Sequence, residues 1–485
     1  MASPKTKRKA VRKTSTAKKK RTTKAARKKP LKRARAAKSK QPLSAGGDRF
    51  RVKVRMYRQG LGDCFLITIP GKTGKPFYVV IDCGVILGTK NAGEVMKQVV
   101  DHIIQTTGGR IHLLAATHEH WDHISGFGQA HELWTDKGKL TIDQVWLSWA
   151  EDPRDPLARK LKAQHQALRL ALGAAAARIG LSGDQNSAHE ISSLLGFFGA
   201  AGSTSDALEV VRKLSEQVRY CKPQDAPVIL PDTDVRVYAL GPPPDEKMIK
   251  KYNPSKKQPE TYGINAMNQY MDSIAPALSS PDLDAPFDEK FQIPLPAAQQ
   301  MPFFQTYYWN EDRDSTEKNQ SWRRIDGSWL DSSSALALQL DSATNNTCLV
   351  LAFELPDGDV LLFAADAQVG NWLSWQDLSW TVDGKTVTGP DLLSRTIFYK
   401  VGHHGSHNAT LREKGLEEMK SLKLAFVPVD HEMAVTKRWN KMPLNELMDR
   451  LNEMTEQCVV RIDEEAPAKL KQSVSSEKLF HEVVL

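Results

Sequence analysis

Apolar residues recur with two different periods after residue 50, and together these periods predict a mixed α/β fold. Alternating or short apolar runs predict strands at 50–57, 64–69, 77–81, 111–117, 143–149, 227–230, 235–240, 335–340, 348–354, 360–364, 395–401, 422–429 and 458–462. Apolar residues at helical spacing predict helices at 94–105, 157–179, 205–220, 411–421 and 444–455. Because strands occur in both halves with helices around them, we expect two sheets packed face to face and flanked by helices.

Three segments interrupt this pattern. Residues 1–47 consist mainly of Lys, Arg, Ala, Thr and Ser, and with so little to bury we expect them to form a disordered tail. Residues 48–485 then form one domain with two insertions. The first, at about 151–225, is predicted to be helical; the second, at about 245–330, is rich in polar residues and proline, is predicted to be irregular, and could cover a site.

The net charge of +10 conceals a strong asymmetry between the tail and the rest of the chain. Residues 1–40 contain 19 of the 67 Lys and Arg residues and no acidic residue, which leaves 48 basic against 57 acidic residues elsewhere. Such a polycation binds polyanions by releasing counterions, with little sequence preference. We therefore expect the tail to contact nucleic acid, although a solubilising role or a localisation address would require the same composition.

The remaining composition indicates a cytoplasmic protein without membrane insertion. No apolar run approaches the roughly 18 residues that span a bilayer, and the charged N-terminus has no hydrophobic signal core. The five cysteines are scattered and form no C-x-x-C pair, which is typical of reduced thiols.

The strongest chemical signal is the motif H-E-H-W-D-H at residues 118–123, directly after the apolar run 111–116. Imidazole and carboxylate are ligands that Zn²⁺ and similar cations prefer. His118 and His120 are two residues apart, so on an extended backbone they can share one ion. As the chain turns, Asp122 and His123 can reach a second ion. A polar loop with surface histidines is the alternative, but only 13 of 485 residues are histidine.

Two later strand ends offer further ligands. The predicted strand 360–364 leads into Asp366, a carboxylate that can bridge two cations about 3.5–4 Å apart. An unremarkable aspartate at a strand end is the other interpretation of Asp366. The predicted strand 395–401 leads into His403 and His404, and we expect one of them to bind metal, without the sequence deciding which.

The order of these motifs resembles the metallo-β-lactamase superfamily, and within it the soluble hydrolase domain of ComEC-type competence proteins. The motifs are Q-G-L-G-D at 59–63, I-D-C-G at 81–84, H-x-H-x-D-H at 118–123, N-N at 345–346, Asp366, and K-V-G-H-H-G-S at 400–406. The H-x-H-x-D-H and H-H-G-S elements are highly specific together, whereas G-x-G-D and D-x-G are individually weak. The likeness spans roughly residues 50–465, apart from the two insertions.

The resemblance implies an αββα sandwich with two divalent ions, Zn²⁺ or Mn²⁺, at one edge between the sheets. It implies that His118 and His120 hold the first ion, that Asp122, His123 and His403 or His404 hold the second, and that Asp366 bridges them.

The chain departs from the family pattern in three places. Many members add another histidine to the first ion; the candidates here are His165, which we expect on a solvated helix face, and His189, which we expect at a helix start. The first ion could otherwise keep an open position, as catalytic sites do. Met442-Pro443 stands where the competence-type pattern tends to have His-Pro. The chain also lacks the membrane segments of the full-length competence proteins, which excludes a DNA-uptake pore.

Hydrolysis of a phosphodiester by metal-bound hydroxide is the chemistry that this ligand set predicts. We expect Asp82 to orient a ligand imidazole. The residues proposed to contact substrate or take part in catalysis are Asp122, Asn346, Lys400, Ser406 and His407. A structural role is the alternative for the last four of them. Three functions are compatible with the sequence: a nuclease or phosphodiesterase recruited by its tail, a hydrolase of a small-molecule ester, lactone or phosphate, and a non-catalytic scaffold.

Overall fold

The computed structural model describes residues 51–181, 185–198, 203–251, 340–408, 410–470 and 473–485, with shorter pieces at 293, 295–298, 300–308, 337 and 338. By its internal contacts the chain divides into a unit Met1–Ala45 and a unit Gly46–Leu485. The predicted tail at 1–47 and most of the predicted insertion at 245–330 lie outside the described residues.

The described strands alternate with helices, which confirms the predicted mixed α/β class. In chain order they are β1 (Lys53–Tyr57), β2 (Cys64–Pro70), β3 (Pro76–Cys83), β4 (Arg110–Ile111), β5 (Leu113–Ala116), β6 (Thr141–Ile142), β7 (Val145–Ser148), β8 (Val218–Cys221), β9 (Val228–Ile229), β10 (Arg236–Gly241), β11 (Val350–Glu354), β12 (Val360–Phe363), β13 (Ser379–Val382), β14 (Lys385–Thr388), β15 (Thr396–Lys400), β16 (Leu424–Val427), β17 (Val459–Arg461), β18 (Val474–Ser476) and β19 (Phe480–Val484).

Most of these strands belong to two large sheets. One has the order β18-β19-β1-β2-β3-β5-β7-β8, and the other β17-β16-β15-β12-β11-β10-β9. In each sheet one half is parallel: β3, β5, β7 and β8 in the first, and β12, β15, β16 and β17 in the second. The carboxyl ends of parallel neighbours meet at one edge of a sheet, and it is there that side chains following the strands can converge.

The helices in the described residues surround these sheets. They are Ala92–Thr107, Trp121–Gln129, His131–Thr135, Pro156–Leu181, Gln185–Leu195, Ser203–Lys213, Glu246–Ile249, Leu295–Ala298, Pro302–Tyr307, Val369–Ser374, Gly389–Ser394, His431–Thr436 and Asn445–Met454, with a further helical segment at 340–345. None of the described helices is both long enough and apolar enough to cross a membrane.

Alternation along the strands gives each sheet two different apolar faces. In β2, Leu66 packs into a cluster with residues of the helix Ala92–Thr107, such as Ile103. The neighbouring Phe65 points the other way and meets Phe363 of β12, with ring centroids 5.6 Å apart. Phe363 in turn contacts Phe398 of β15. Side chains of the two sheets therefore meet across an aromatic layer, while helices cover the face of the first sheet that carries Leu66.

Two predicted elements are wrong, and a third is present but ends earlier than predicted. Residues 337, 338 and 340–345 are helical where the pattern predicts a strand at 335–340, because apolar residues there have no partner strand and pack under the helix Pro156–Leu181 and its neighbours. At 411–421 only the short 3₁₀ turn Leu416–Glu418 forms; Gly415 approaches the Leu411 carbonyl too closely for a Cβ. The helix predicted at 205–220 ends at Lys213, and β8 follows because its residues pair with β7.

Candidate metal centre

Strand ends of both sheets bring the predicted ligands together. In the first sheet, Asp82 lies near the end of β3, and the segment 118–123 follows its parallel neighbour β5. In the second sheet, Asp366 follows β12, and His403 and His404 follow its parallel neighbour β15. All these strands present their carboxyl ends to the same region between the sheets.

Four of the predicted ligands converge most closely. One ligand atom from each of Asp122, His123, Asp366 and His404 lies within 4.8 Å of the others, and all four side chains are fully buried. His404 Nε2 is 2.8 Å from Asp122 Oδ2, and His123 Nε2 is 3.2 Å from Asp366 Oδ2. A buried group of these four side chains can hold a metal ion.

Hydrogen bonds from Nδ1 fix the orientation of the two imidazoles in this group. His123 donates its Nδ1 proton to Asp82 Oδ2 at 2.8 Å, and His404 donates its Nδ1 proton to the Pro428 carbonyl at 2.7 Å. In the neutral ring the other nitrogen, Nε2, then carries a lone pair. Both Nε2 atoms face carboxylate oxygens, which also carry lone pairs. Such an arrangement is stable only with positive charge between or on these groups, and a divalent cation supplies it.

The electrostatics agree with this arrangement. Burial alone would lower the pKa of His123 and His404, but the surrounding carboxylates, Asp366 foremost, raise both above the usual range. Burial likewise acts to raise the pKa of Asp122 and Asp366, yet the two imidazoles hold both pKa values below the usual range. The carboxylates therefore favour positive charge at this centre, which protonated imidazoles or a bound cation can supply.

His118 and His120 lie beside this group and behave differently. The ring of His118 is 4.2 Å from that of His123 and 4.7 Å from that of His120, centroid to centroid. Burial lowers the pKa of His120 to about 3 and that of His118 well below its usual value. Both imidazoles are therefore neutral. His118 Nε2 and both ring nitrogens of His120 have no hydrogen-bond partner in the described residues, so the unprotonated nitrogen of His120, and Nε2 of His118 when its proton is on Nδ1, are available to a cation.

Backbone strain is concentrated around these residues. Asp82, Ala365, His403 and His404 all have φ between +44° and +55°, a left-handed conformation that residues with a Cβ seldom adopt. At the last two positions this conformation turns the chain sharply after β15. Strain of this kind commonly marks functional sites.

Backbone hydrogen bonds from the two glycine motifs hold the segment 118–123 in place. The backbone N–H of Asp63 donates to the Asp122 carbonyl at 2.9 Å, and the N–H of Gly84 donates to the Asp63 carbonyl at 3.0 Å. A Cβ on Gly84 would collide with the backbone of Asp122. Residues 59–63 and 81–84 thus position the start of the helix Trp121–Gln129.

Lys400 supports the predicted bridging carboxylate. Its side chain is 1 % exposed, and its ammonium donates to the Ala365 carbonyl at 3.0 Å, lies 3.4 Å from Asp366 Oδ1, and forms an ion pair with Asp63. The backbone N–H of His403 also donates to Asp366 Oδ1 at 3.0 Å. These bonds occupy Oδ1 and leave Asp366 Oδ2 facing the imidazoles. Lys400 therefore positions Asp366.

The structure also separates the adjacent histidines that the sequence left equivalent. His404 belongs to the convergent group, whereas His403 Nδ1 lies 2.8 Å from Ser406 Oγ and its Nε2 lies 3.5 Å from Asn345 Nδ2. Ser406 donates onward to Asn408 Oδ1 at 2.8 Å. The geometry favours His404 as the metal ligand, and Ser406 orients His403.

The side chain of Asn346 makes four hydrogen bonds to backbone groups. Its amide nitrogen donates to the carbonyls of Ile249 and Lys251, and its carbonyl oxygen accepts from the backbone N–H groups of Gln368 and Asn371, all at 2.9–3.2 Å. An Asn side chain has two protons to donate and two lone pairs. All four are used, so the side chain of Asn346 links the backbone of residues 249–251 to that of residues 368–371.

The candidates for an additional histidine ligand lie elsewhere. His165 is half-buried rather than solvated; its Nδ1 is 3.4 Å from Thr344 Oγ1, and burial lowers its pKa to about 4. His189 is exposed and lies 3.4 Å from Ser193 Oγ. Neither belongs to a convergent ligand group of the described residues.

One buried carboxylate near the centre is absent from the sequence-derived ligand set. Asp341 lies on the helical segment 340–345, and its Oδ1 is 3.9 Å from His120 Nε2. A signal is present in the sequence, since Asp341 and Asn345 are four residues apart and so share one helix face. This spacing is overlooked because the hydrophobic pattern predicts a strand that ends at residue 340 instead of a helix.

An aromatic wall closes one side of the centre. The rings of Phe197 and Phe198 lie 5.4 and 4.8 Å from that of His120, and Trp439 stacks on Phe197 at 4.8 Å with an interplanar angle of 8°. Water is therefore kept from this side of the imidazoles, which strengthens electrostatic interactions within the site.

No protein-family model matches this chain, and no curated protein matches it either. What the site can do therefore rests on its own geometry and chemistry.

Proposed function

We propose that this protein is a metal-dependent hydrolase with a metallo-β-lactamase-like αββα sandwich, and that it uses two divalent ions, Zn²⁺ or Mn²⁺, to cleave phosphodiesters. The observation that carries this proposal is the pair of imidazoles, His123 and His404, whose Nε2 atoms face the carboxylates of Asp366 and Asp122 in a fully buried group. Within this group His123 Nε2, Asp122 Oδ1 and Asp366 Oδ2 have no hydrogen-bond partner in the described residues. Buried polar atoms without partners are costly, and a cation would satisfy these three together.

Two sets of donors support a proposal of two ions. Asp122, His123, Asp366 and His404 form one compact group, and His118 and His120 beside it have ring nitrogens without a hydrogen-bond partner in the described residues. Asp366 Oδ2 has no hydrogen-bond partner in the described residues, as a bridging oxygen requires. Mixed imidazole and carboxylate ligands suit Zn²⁺ and Mn²⁺.

Ions bound there would lower the pKa of a shared water towards about 7 and stabilise negative charge on the substrate oxygens. The protein contributes orientation. Asp82 keeps the proton of His123 on Nδ1, so that Nε2 points into the centre. Lys400 and the His403 N–H hold Asp366 by Oδ1. The aromatic wall of Phe197, Phe198 and Trp439 excludes bulk water from the His120 side.

A nucleic-acid phosphodiester is the substrate class that the charge distribution favours. The 19 basic residues in positions 1–40 would concentrate the protein on a polyanion. The second candidate is a small-molecule ester, lactone or phosphate, and one observation favours it: outside the tail, acidic residues outnumber basic ones by 57 to 48. An acidic body repels an extended polyanion near the site.

Metal content tests the first half of the proposal. Full-length protein purified without chelator and then equilibrated with Mn²⁺ or Zn²⁺ should contain about two ions per chain by elemental analysis. Asp366→Ala should lower occupancy and turnover together. His404→Ala should lose metal, whereas the matched variant His403→Ala should retain it. Wild-type protein that binds no ion under either condition would refute the proposal.

Substrate panels test the second half. The metal-loaded protein should cleave DNA, RNA or bis(4-nitrophenyl) phosphate, and chelation should abolish cleavage until metal is restored. The same preparation is assayed with a lactone, a thioester and a phosphate monoester. Turnover of one of these without cleavage of any phosphodiester would establish the small-molecule alternative.

A further inference from the structure

A buried carboxylate stands opposite the histidines proposed for the first ion. Asp341 is 4 % exposed, and its Oδ1 atom has no hydrogen-bond partner in the described part of the chain. Its Oδ2 accepts a hydrogen bond from Asn345 Nδ2 at 3.2 Å, one helical turn later. That bond fixes the carboxylate and leaves Oδ1 directed to His120, whose Nε2 is 3.9 Å away.

We propose that Asp341 is the third protein ligand of the first metal ion, together with His118 and His120. This inference rests on the two-metal hydrolase proposed above and adds to it a ligand that the family resemblance does not supply. The carboxylate takes the place of the additional histidine found in many members of that superfamily.

The distance between His120 and Asp341 is one that a shared ion allows. Zn–N bonds are about 2.0–2.1 Å and Zn–O bonds about 2.0–2.2 Å, so two ligands of one ion lie no more than roughly 4.3 Å apart. The 3.9 Å between His120 Nε2 and Asp341 Oδ1 falls within this limit and is too long for a direct hydrogen bond. Both atoms are unpartnered within the described residues, as is Nε2 of His118.

Without a cation, no described interaction offsets the free-energy cost of burying Asp341 Oδ1. A buried carboxylate oxygen that makes no hydrogen bond costs free energy, and removing it would then stabilise the protein. The described surroundings provide no basic side chain within ion-pair distance of Asp341 other than His120. A metal ligand and a purely structural acid therefore predict opposite responses to substitution, depending on whether metal is present.

Exchanging imidazole for carboxylate also changes which ion the site prefers. Carboxylate ligands suit Mn²⁺, whereas imidazole ligands suit Zn²⁺. With Asp341 and the bridging Asp366, the first ion would have two carboxylates beside two imidazoles. The first site of the wild-type chain should therefore favour Mn²⁺ more than the site of an Asp341→His variant does.

The test measures metal binding rather than turnover. Full-length wild-type protein, Asp341→Asn, Asp341→His and the surface control Asp377→Asn are titrated with Mn²⁺ alone and with Zn²⁺ alone, by calorimetry and elemental analysis. We expect two ions in the wild type and in the control, and one tightly bound ion in Asp341→Asn, with first-site affinity lowered at least about 100-fold, since outer ligand-orienting groups alone cost 10–100-fold. Asp341→His should recover the second ion and shift its preference towards Zn²⁺.

Thermal unfolding adds a readout that a structural role would not produce. In chelator, Asp341→Asn should melt at or above the wild-type temperature, because a neutral amide replaces a buried acid whose Oδ1 has no hydrogen-bond partner in the described residues. The increase in melting temperature on adding metal should be smaller for Asp341→Asn than for the wild type.

Each outcome decides the inference. Two ions bound with unchanged affinity by Asp341→Asn, or a single ion in the wild type, would overturn the role of Asp341 while leaving a metal site intact. Equal destabilisation of Asp341→Asn with and without metal would identify a structural acid and also overturn it. A wild-type chain without any bound ion would refute the proposed function itself.

Discussion

Replacing Asp82 by asparagine tests whether the outer carboxylate controls the metal centre. Asp82 is fully buried and accepts three hydrogen bonds: from the Thr117 N–H at 2.7 Å, the Thr117 hydroxyl at 2.7 Å and His123 Nδ1 at 2.8 Å. The new side-chain amide could still make both hydrogen bonds to Thr117. Its carbonyl oxygen would accept from the Thr117 N–H, and the Thr117 hydroxyl can rotate to accept from the amide NH₂ group. Its NH₂ group would, however, face the Nδ1 proton of His123. The imidazole would then move its proton to Nε2 and lose the lone pair that faces Asp366.

The expected magnitude follows from these bonds. The charged hydrogen bond to His123 contributes about 1.5–3 kcal/mol to stability. Loss of an outer carboxylate that orients a ligand lowers metal affinity typically 10–100-fold, which is about 1.4–2.8 kcal/mol. At one metal concentration well above the dissociation constant, the metal-dependent part of the stability should fall by the same amount.

The assay compares urea unfolding and Mn²⁺ or Zn²⁺ titrations of wild type and Asp82→Asn, each with metal and with chelator. Asp232→Asn is the matched control, because Asp232 also accepts from the N–H and hydroxyl of one threonine, Thr73, but on the surface. We expect the control to stay within about 0.5 kcal/mol. Wild-type metal affinity in Asp82→Asn would refute the tautomer argument, and unchanged affinity in His123→Ala would show that His123 is not a ligand.

Three further expectations can be measured independently. Removal of residues 1–40 should abolish most non-specific DNA binding and flatten its salt dependence, because those 19 charges supply the counterion release; equal slopes in filter binding would exclude the tail. Cys64→Ala should leave metal content and metal-restored turnover largely intact, because Cys64 is buried and lies on β2; loss of either would place it in the chemistry. Burial, reinforced by Arg58, lowers the pKa of His481 from 6.5 to about 4, so the unfolded state takes up its proton first and stability falls as the pH drops from 6.5 towards 4. His481→Gln should remove about 2 kcal/mol of that loss at pH 5 in urea unfolding; an unchanged pH profile would contradict this.

Much of the metal motif was accessible from the sequence because its ligands are local. The spacing of residues 118–123 places several donors after one strand, and strand periodicity does not depend on distant partners. The strands that carry Asp82, Asp366 and His404 are predicted for the same reason, with ends that differ from the structure by a few residues. The sequence also predicts that Asp82 orients an imidazole, and the structure identifies His123 as that imidazole.

Roles that depend on long-range contacts could not be predicted. Nothing local distinguishes His403 from His404, because the choice depends on the left-handed turn after β15 and on Asp122, 282 residues away in sequence from His404. Asn346 resembles a substrate contact in the sequence, and only the structure shows backbone groups from two other segments, 249–251 and 368–371, around its amide.

The sequence by itself therefore determined the strand and helix alternation, the presence of a metal motif and the charge of the tail, since periodicity, ligand chemistry and charge are properties of neighbouring residues. The tertiary structure decided which donors share a centre. Asp341 shows the reason, because a single carboxylate in a helix cannot be identified as a candidate ligand from its sequence neighbours. Packing buries this side chain, leaves Oδ1 without a partner in the described residues and places Oδ1 3.9 Å from His120 Nε2.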